Sequence, residues 1–141
     1  EAERLKVFSE VKRVTKKNGY ILVAYVMNEY SIIEYCFKKN KIRECIQNKS
    51  ISEDFHTISD EKELYSYLRI EDLDSLNKKA NLERVKIIAA DGPSDYMRKE
   101  LNAMDEEVFN LFIQYHLATC ERPELLGASS HTVDILRNVT K

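Results

Sequence analysis

The chain has 141 residues, of which 43% are hydrophobic and 33% charged, and a formal net charge of −2 at pH 7. This length fits one domain or part of a larger one and allows a real hydrophobic core. The near-neutral charge, with no cluster of basic residues, argues against a nucleic-acid surface, and no apolar run approaches the roughly 20 residues of a membrane span. The three cysteines form no C-x-x-C pair, which indicates reduced thiols in a cytoplasmic protein.

The first predicted elements are a helix over residues 2–17 and a buried strand over residues 20–25. The helix carries one apolar stripe at three-residue steps, formed by Leu5, Phe8, Val11 and Val14. Asn18 and Gly19 then end it, because both residues tolerate the left-handed backbone conformation. The apolar run that follows lacks alternation, which predicts a strand covered on both faces, as in a parallel α/β sheet.

Residues 28–81 are predicted to form a helical insertion between the first and second strands. Asn28 is interpreted as the N-cap of its first helix, since a side-chain amide can accept a backbone hydrogen bond there. The remaining pattern predicts a helix at 30–39, a weak helix and loop at 38–52, one short strand within 51–58, a helix that starts at Ser59 and includes Leu68, and a short helix that ends at Asn81.

The second half of the chain predicts two further strands separated by helices. The predicted elements are a strand at 82–90, a turn at 91–94, a helix at 94–103, a helix capped by Asp105 with Val108, Phe109, Phe112, Tyr115 and Thr119 facing inward, a helical turn at 122–127 and a strand at 131–137. Helices between strands indicate the α/β class. Three strands are few for a doubly wound sheet, so we interpret the chain as the terminal half of one.

Two segments resemble class I S-adenosylmethionine-dependent methyltransferases. Residues 10–25 resemble the helix and fifth strand of that family, whose turn often reads R-V-L-K-P-G-G, where this chain has Arg-Val-Thr-Lys-Lys-Asn-Gly at 13–19. Residues 67–82 resemble the helix before the sixth strand, and residues 131–137 would be the seventh strand. The substitution of Asn for glycine and of Lys for proline in the turn departs from the family's pattern.

The resemblance implies a fold, namely the C-terminal part of a Rossmann-like sheet with about three strands in the order 5-7-6. The last strand would run antiparallel between the other two. The edge of the first strand would then be open, and an exposed apolar edge makes self-association of the chain possible. Residues 1–141 would form a single domain that belongs to a larger methyltransferase domain.

The resemblance also implies that one part of the family's fold, the cofactor-binding half, is missing. Close approach of a backbone to a cofactor needs residues without a Cβ, yet the three glycines, at 19, 92 and 127, are far apart in the sequence. The cofactor-binding half is therefore expected to be absent from this chain. S-adenosylmethionine would be the cofactor of the parent protein, and this chain alone would neither bind it tightly nor catalyse.

The sequence is compatible with two alternative functions. In the first, the chain is part of a methyltransferase acting on a small-molecule acceptor, without nucleic-acid or membrane partners, and supplies the substrate lid. In the second, it is a non-catalytic protein-interaction domain derived from the same fold.

Six side chains are candidate substrate contacts, and each has an ordinary structural alternative. The candidates are Tyr25, Asn28, Tyr115, His116, Arg122 and His131. Tyr25 and Asn28 end the first strand, where open α/β sheets place ligands, although Asn28 also suits a helix cap. Histidine can transfer a proton near neutral pH and arginine can bind a carboxylate, but a surface histidine and a solvated ion pair are common. A zinc site from His116 and Cys120 with a third ligand, His131 or Glu121, is a rival hypothesis.

Overall fold

The computed structural model describes residues 1–59, 63 and 65–139, and in these residues it is a mixed α/β protein with one sheet. The helices are α1 (Ala2–Val14), α2 (Asn28–Ser31), α3 (Ile42–Gln47), α4 (Ile70–Ala80), α5 (Arg98–Asn102), α6 (Glu106–Thr119) and α7 (Pro123–Leu126). Helix α2 continues into a π-helical segment, Ile32–Lys38. The strands are β1 (Tyr20–Met27), β2 (Tyr67–Leu68), β3 (Glu83–Ala89) and β4 (His131–Arg137).

Across the described residues the sheet has four strands in the order β2-β1-β4-β3. Strand β4 is antiparallel to both of its neighbours, so the order and the direction predicted for the three long strands are found. The predicted number of three strands is too low, because β2 pairs in parallel with Val26 and Met27 at the end of β1. A two-residue strand carries no periodic pattern, so the sequence could not indicate it.

The edge of β1 that was predicted to be open is covered only at its end. Strand β2 pairs with its last two residues, and the described part of the chain places no strand beside Tyr20–Tyr25 on that side. Unpaired backbone groups along a strand are able to pair with another chain.

The end of α1 is fastened to the end of β4. The side-chain amide of Asn138 donates hydrogen bonds of 3.0 Å to the carbonyl oxygens of Lys12 and Thr15. Asn18 has a φ of 63°, as predicted, and a Cβ on Gly19 would lie 2.9 Å from the carbonyl oxygen of Lys16. The left-handed conformation predicted for Asn18 is thus confirmed. The predicted helix end is wrong, because α1 already ends at Val14 with Thr15 extended, so the Asn-Gly turn follows the helix and does not cap it.

One face of the sheet forms the main core against α1 and α4. Its buried residues come from both helices and from the strands, namely Phe8, Ile21, Tyr25, Met27, Leu68, Leu73, Leu76, Leu82 and Leu136. Full burial of one such side chain is worth about 1.5–3 kcal/mol, so this cluster supplies most of the apolar stabilisation of the sheet.

The opposite face of the sheet, which we call the open face, contradicts the prediction of a strand covered on both sides. Along β1 the side chains alternate between buried and exposed, and Tyr20 and Leu22 are 60% and 68% exposed. Val133 and Ile135 of β4 alternate with buried neighbours in the same way and share this face through their pairing with β1. An apolar run therefore did not imply burial on both sides.

Helix α6 also differs from its prediction. The residues predicted to face inward are exposed or half-exposed, and none of the helix's 14 residues is buried. Its large exposed apolar side chains are Val108, Phe109, Leu111, Ile113, Tyr115 and Leu117. The sequence pattern was that of a core helix, but the described residues contain no surface that covers it.

The segment between β1 and β3 contains helices, a loop and β2. Within the range predicted for a strand, at 51–58, there is only an isolated bridge between Ile51 and Thr57. The helix predicted to start at Ser59 falls largely on residues 60–62 and 64, outside the described residues, and its predicted end at Leu68 is strand β2. A second small core in this segment consists of Ile32, Cys36, Cys45 and Ile51.

Asp134, on the central strand, is fully buried and is held by an ion pair and hydrogen bonds. The Arg84 guanidinium donates to both of its carboxylate oxygens, at 2.8 and 2.7 Å, and the Asn77 amide donates at 2.7 Å. This network joins β4, β3 and α4. A buried carboxylate is tolerable only when it is paired and hydrogen-bonded in this way.

We expect Arg84→Met to lower the free energy of unfolding by about 3–5 kcal/mol, because it leaves the Asp134 carboxylate buried without a counter-charge. Arg13→Met is the matched control, since its ion pair with Glu10 is exposed and is worth about 1 kcal/mol or less. Urea unfolding followed by circular dichroism measures both variants. Equal losses would contradict the stated role of Arg84.

The thiol of Cys36 should be unreactive in the folded protein. Burial, and then the neighbouring Cys45 thiol at 3.5 Å, raises the pKa of Cys36 to about 11. At pH 8 we therefore expect Ellman's reagent to modify the half-buried Cys120 first, while Cys36 reacts only after unfolding or as the pH approaches 11. Cys120→Ser should abolish the fast phase. A fast phase that survives this substitution would contradict the assignment.

Candidate active site

The candidate site lies at the carboxyl edge, defined as the edge of the sheet where β1 and β3 end and β4 begins. Strands β1 and β3 run in the same direction, since both are antiparallel to β4, so their last residues meet there. The backbone N–H of Met27 donates to the Ser130 carbonyl at 3.0 Å, and that of Ala90 donates to the His131 carbonyl at 2.9 Å. The residues before β4 are thus held between the ends of both other strands.

Asp91 and His131 form a hydrogen-bonded pair at this edge. The Oδ2 atom of Asp91 lies 2.7 Å from Nδ1 of His131 and accepts from the His131 backbone N–H at 2.8 Å and from the Ser130 hydroxyl at 2.6 Å. A carboxylate on Nδ1 favours the tautomer that carries its proton there. The Nε2 atom is then free to accept a proton, and the His131 side chain is 49% exposed.

The turn that carries Asp91 is fixed by the Ser129 hydroxyl and packs against the His116 ring. The fully buried hydroxyl of Ser129 donates to the His131 carbonyl at 2.7 Å and accepts from the Gly92 N–H at 3.0 Å. Gly92 has a φ of 56°, and a Cβ there would lie 2.6 Å from Nδ1 of His116. Glycine suits this position for two reasons. It adopts the positive φ without strain, and it has no Cβ that would collide with the imidazole ring of His116.

Aromatic and acidic side chains stand beside the pair. Tyr30 and Tyr96 pack edge to face with ring centroids 5.3 Å apart, and the Tyr96 hydroxyl donates to the Ala128 carbonyl at 2.8 Å. Burial and the nearby Tyr30 raise the pKa of Tyr96 to about 12. The Arg98 guanidinium holds the pKa of Asp95 below its ordinary value. The site therefore keeps neutral phenols next to the ionised carboxylate of Asp95 at neutral pH.

Two of the predicted contacts, His116 and His131, lie on either side of the same turn. Nε2 of His116 lies 3.1 Å from the Ala90 carbonyl, and its ring lines a cavity of about 270 Å³ with Tyr96 and Tyr115. The structure therefore brings Tyr115, His116 and His131 close to the turn after β3.

The other predicted contacts have different positions. Tyr25 faces the main core rather than the carboxyl edge, and burial together with the Asp134 carboxylate raises its pKa to about 12. Arg122 forms an exposed ion pair with Glu124, two residues away. This placement favours structural roles for both residues.

Asn28 directly follows β1 and is fully buried, and its side-chain amide forms hydrogen bonds with the loop before β2. It donates to the Phe55 carbonyl at 3.0 Å and accepts from the Thr57 N–H at 2.8 Å. Asn28 therefore anchors the loop before β2, and the predicted N-cap bond is not made. The same loop is held by Arg69, which pairs with Glu29 and Asp54 at 2.8 Å each.

Four residues of the site are not among the contacts predicted from the sequence, namely Asp91, Ser129, Ser130 and Tyr96. A signal was present for Asp91, since an acidic residue directly after a strand and before Gly-Pro-Ser occupies the position where open α/β sheets bind ligands. The two serines had no pattern of their own. Their role depends on β4 returning to the end of β3.

The described residues contain no group of three or more His, Cys, Asp or Glu side chains placed to hold a metal ion. His116 instead contacts the backbone of Ala90, the Cys120 thiol lies 3.5 Å from the Leu117 carbonyl, and Glu121 pairs with Lys86. The structure gives no support to the zinc hypothesis.

No protein-family model matches this chain, and no curated protein matches it either. In the described part of the chain, every helix is too short or too polar to cross a bilayer. Function is therefore inferred from the geometry of the carboxyl edge and of the sheet.

Removing the Asp91 carboxylate should release the His131 ring. We expect ¹⁵N chemical shifts of neutral His131 to report a proton on Nδ1 in the unmodified protein and a mixture of tautomers in Asp91→Ala, because the carboxylate sets the tautomer. Glu124→Ala, which removes an exposed carboxylate elsewhere, is the control and should change nothing. A proton on Nε2 in the unmodified protein would contradict the proposed pairing.

Proposed function

We propose that this chain is the C-terminal part of a class I S-adenosylmethionine-dependent methyltransferase that acts on a small molecule. The observation that carries the proposal is the position of β4, the last strand, antiparallel between β1 and β3. The resemblance of residues 10–25, 67–82 and 131–137 implies this arrangement.

The open face also supports the proposal. In an α/β sheet of this kind helices cover both faces, but here α1 and α4 cover only one. The exposed Tyr20 and Leu22, together with Val133 and Ile135, would be covered by the helices of a cofactor-binding half. We therefore propose that this chain supplies the acceptor side of the enzyme and is not competent alone.

We propose that this chain alone does not bind S-adenosylmethionine tightly. The His116 ring fills the space beside Gly92, and Thr15 and Lys16 fill the space beside Gly19. Gly127 faces the carboxylate of Glu29. The role proposed for this chain is therefore limited to the acceptor.

For the acceptor, the Asp91–His131 pair offers a general base. Nε2 of His131 would accept a proton from an acceptor hydroxyl or amine, and Asp91 would orient the ring and stabilise the resulting imidazolium. Methyl transfer itself depends mainly on alignment of the nucleophile, which the surrounding aromatic side chains would provide. The three free cysteines suit a cytoplasmic enzyme.

A second candidate function is a non-catalytic interaction domain. The observation that favours it is α6, whose six large exposed apolar side chains form a surface of the kind that binds other proteins. In this case the Asp91–His131 pair would only fix the turn after β3.

The test compares this chain with the longer protein encoded by its reading frame. We expect the longer protein to bind S-adenosylmethionine saturably, and this chain to show no amide shifts with the cofactor at millimolar concentration. In the longer protein, His131→Ala should retain cofactor binding and lower methyl transfer about 100-fold or more, because a general base is lost.

Each outcome distinguishes the alternatives. A reading frame without a glycine-rich strand-turn-helix, whose product binds no cofactor, would overturn the methyltransferase proposal and favour an interaction domain. Saturable binding by this chain alone would contradict only the division into two halves. Full activity of His131→Ala would show that His131 is not the general base, and the rest of the proposal would stand.

A further inference from the structure

A second cavity lies apart from the carboxyl edge and is lined by an unusual share of the chain's tyrosines. This cleft of about 730 Å³ lies between the helices after β1 and the loop that leads to β2. Four of the eight tyrosines in the sequence line it, namely Tyr30, Tyr35, Tyr65 and Tyr67. We call it the tyrosine cleft. Its volume suits a small organic ligand.

The charges in the wall of the tyrosine cleft are mostly negative. The described residues that line it include the carboxylates of Glu34, Glu44 and Glu63 and one ammonium group, that of Lys39. Two of these carboxylates pair with lysines of the flanking helices, Glu34 with Lys38 at 2.7 Å and Glu44 with Lys41 at 2.8 Å. Such exposed pairs are weak, so their carboxylates can exchange partners with a ligand.

The cleft already holds a cation over one of its rings. The Nζ atom of Lys39 lies 5.9 Å from the ring centroid of Tyr35, within the range of a cation–π contact. The side chain of Lys39 is thus an alkylammonium group tethered at the position where a free ammonium ligand would bind. Aromatic side chains with nearby carboxylates form the typical surroundings of bound alkylammonium groups.

We propose that the tyrosine cleft is a binding site for a small organic cation that carries an alkylated or primary ammonium group. The rings of Tyr35 and its neighbours contact the cation, the carboxylates balance its charge, and Lys39 competes with it for Tyr35. The proposal goes beyond the methyltransferase function and does not depend on it, because it concerns binding by this chain alone.

The test is a titration of this chain with choline, followed by amide chemical shifts and calorimetry. The control ligand is 3,3-dimethylbutan-1-ol, which has the same shape without the charge. We expect choline to bind at the tyrosine cleft and the alcohol to bind at least about fivefold more weakly, because a cation–π contact requires the charge. Equal binding of the two, or binding of neither at tens of millimolar, would overturn the proposal.

Three variants separate the site from a general effect on the fold. Tyr35→Leu should weaken choline binding about fivefold, whereas Tyr35→Phe retains the ring and the binding. Tyr20→Leu is the matched control, since Tyr20 makes a cation–π contact with Arg137 on the open face, away from the cleft. Circular dichroism confirms that each variant is folded.

The variant Lys39→Met gives the sharpest result. It removes the tethered competitor while keeping most of the side-chain volume, so choline should bind about fivefold more tightly. A merely structural role of Lys39 predicts no change or a loss. Weaker binding in Lys39→Met would therefore overturn the proposed position of the ligand.

A second readout uses the cysteines in the wall of the tyrosine cleft. Cys36 and Cys45 both line it, so saturating choline should slow their alkylation by iodoacetamide at high pH but leave that of Cys120 unchanged. Unchanged rates at both cleft cysteines would show that choline binds elsewhere and would contradict the proposal.

Discussion

The structure depends on β4, the last strand of the chain, which pairs on one side with β1 and on the other with β3. Without it the two strands that share a direction would have no hydrogen-bonded neighbour between them. Its side chains also connect it to neighbouring elements. Asp134 binds Arg84 of β3 and Asn77 of α4, and Asn138, just after β4, donates to a carbonyl group of α1. Strand pairing and buried polar contacts thus converge on one element.

The candidate active site is a direct consequence of that position. Because β4 begins where β1 and β3 end, Ser129, Ser130 and His131 are brought to the turn that carries Asp91. The tyrosine cleft is formed differently, by the long insertion after β1. The two regions meet at Tyr30, which lines the tyrosine cleft and packs against Tyr96 beside the carboxyl edge.

Local signals predicted the long strands, most helices and the Asn-Gly turn, because periodicity and backbone preferences act within a few residues. They failed where burial is decided by distant groups. The apolar run of β1 indicated cover on both faces, and the pattern of α6 indicated a buried inner face, yet Leu22 is 68% exposed and Tyr115 is 51% exposed. His131 was recognised from its chemistry, whereas its partner Asp91, 40 residues earlier, became visible only through the pairing of β3 with β4.

The sequence by itself determined the α/β class, the left-handed turn at Asn18 and the order of the long elements, since each follows from spacing or from one residue's conformational preference. Only the tertiary structure decided that β2 joins the sheet, that Asn28 anchors a loop instead of capping a helix, and that Tyr25 faces the core. Each of these depends on contacts between residues more than 20 positions apart. Such contacts leave no periodic trace in a single sequence, because they require the chain to fold back upon itself.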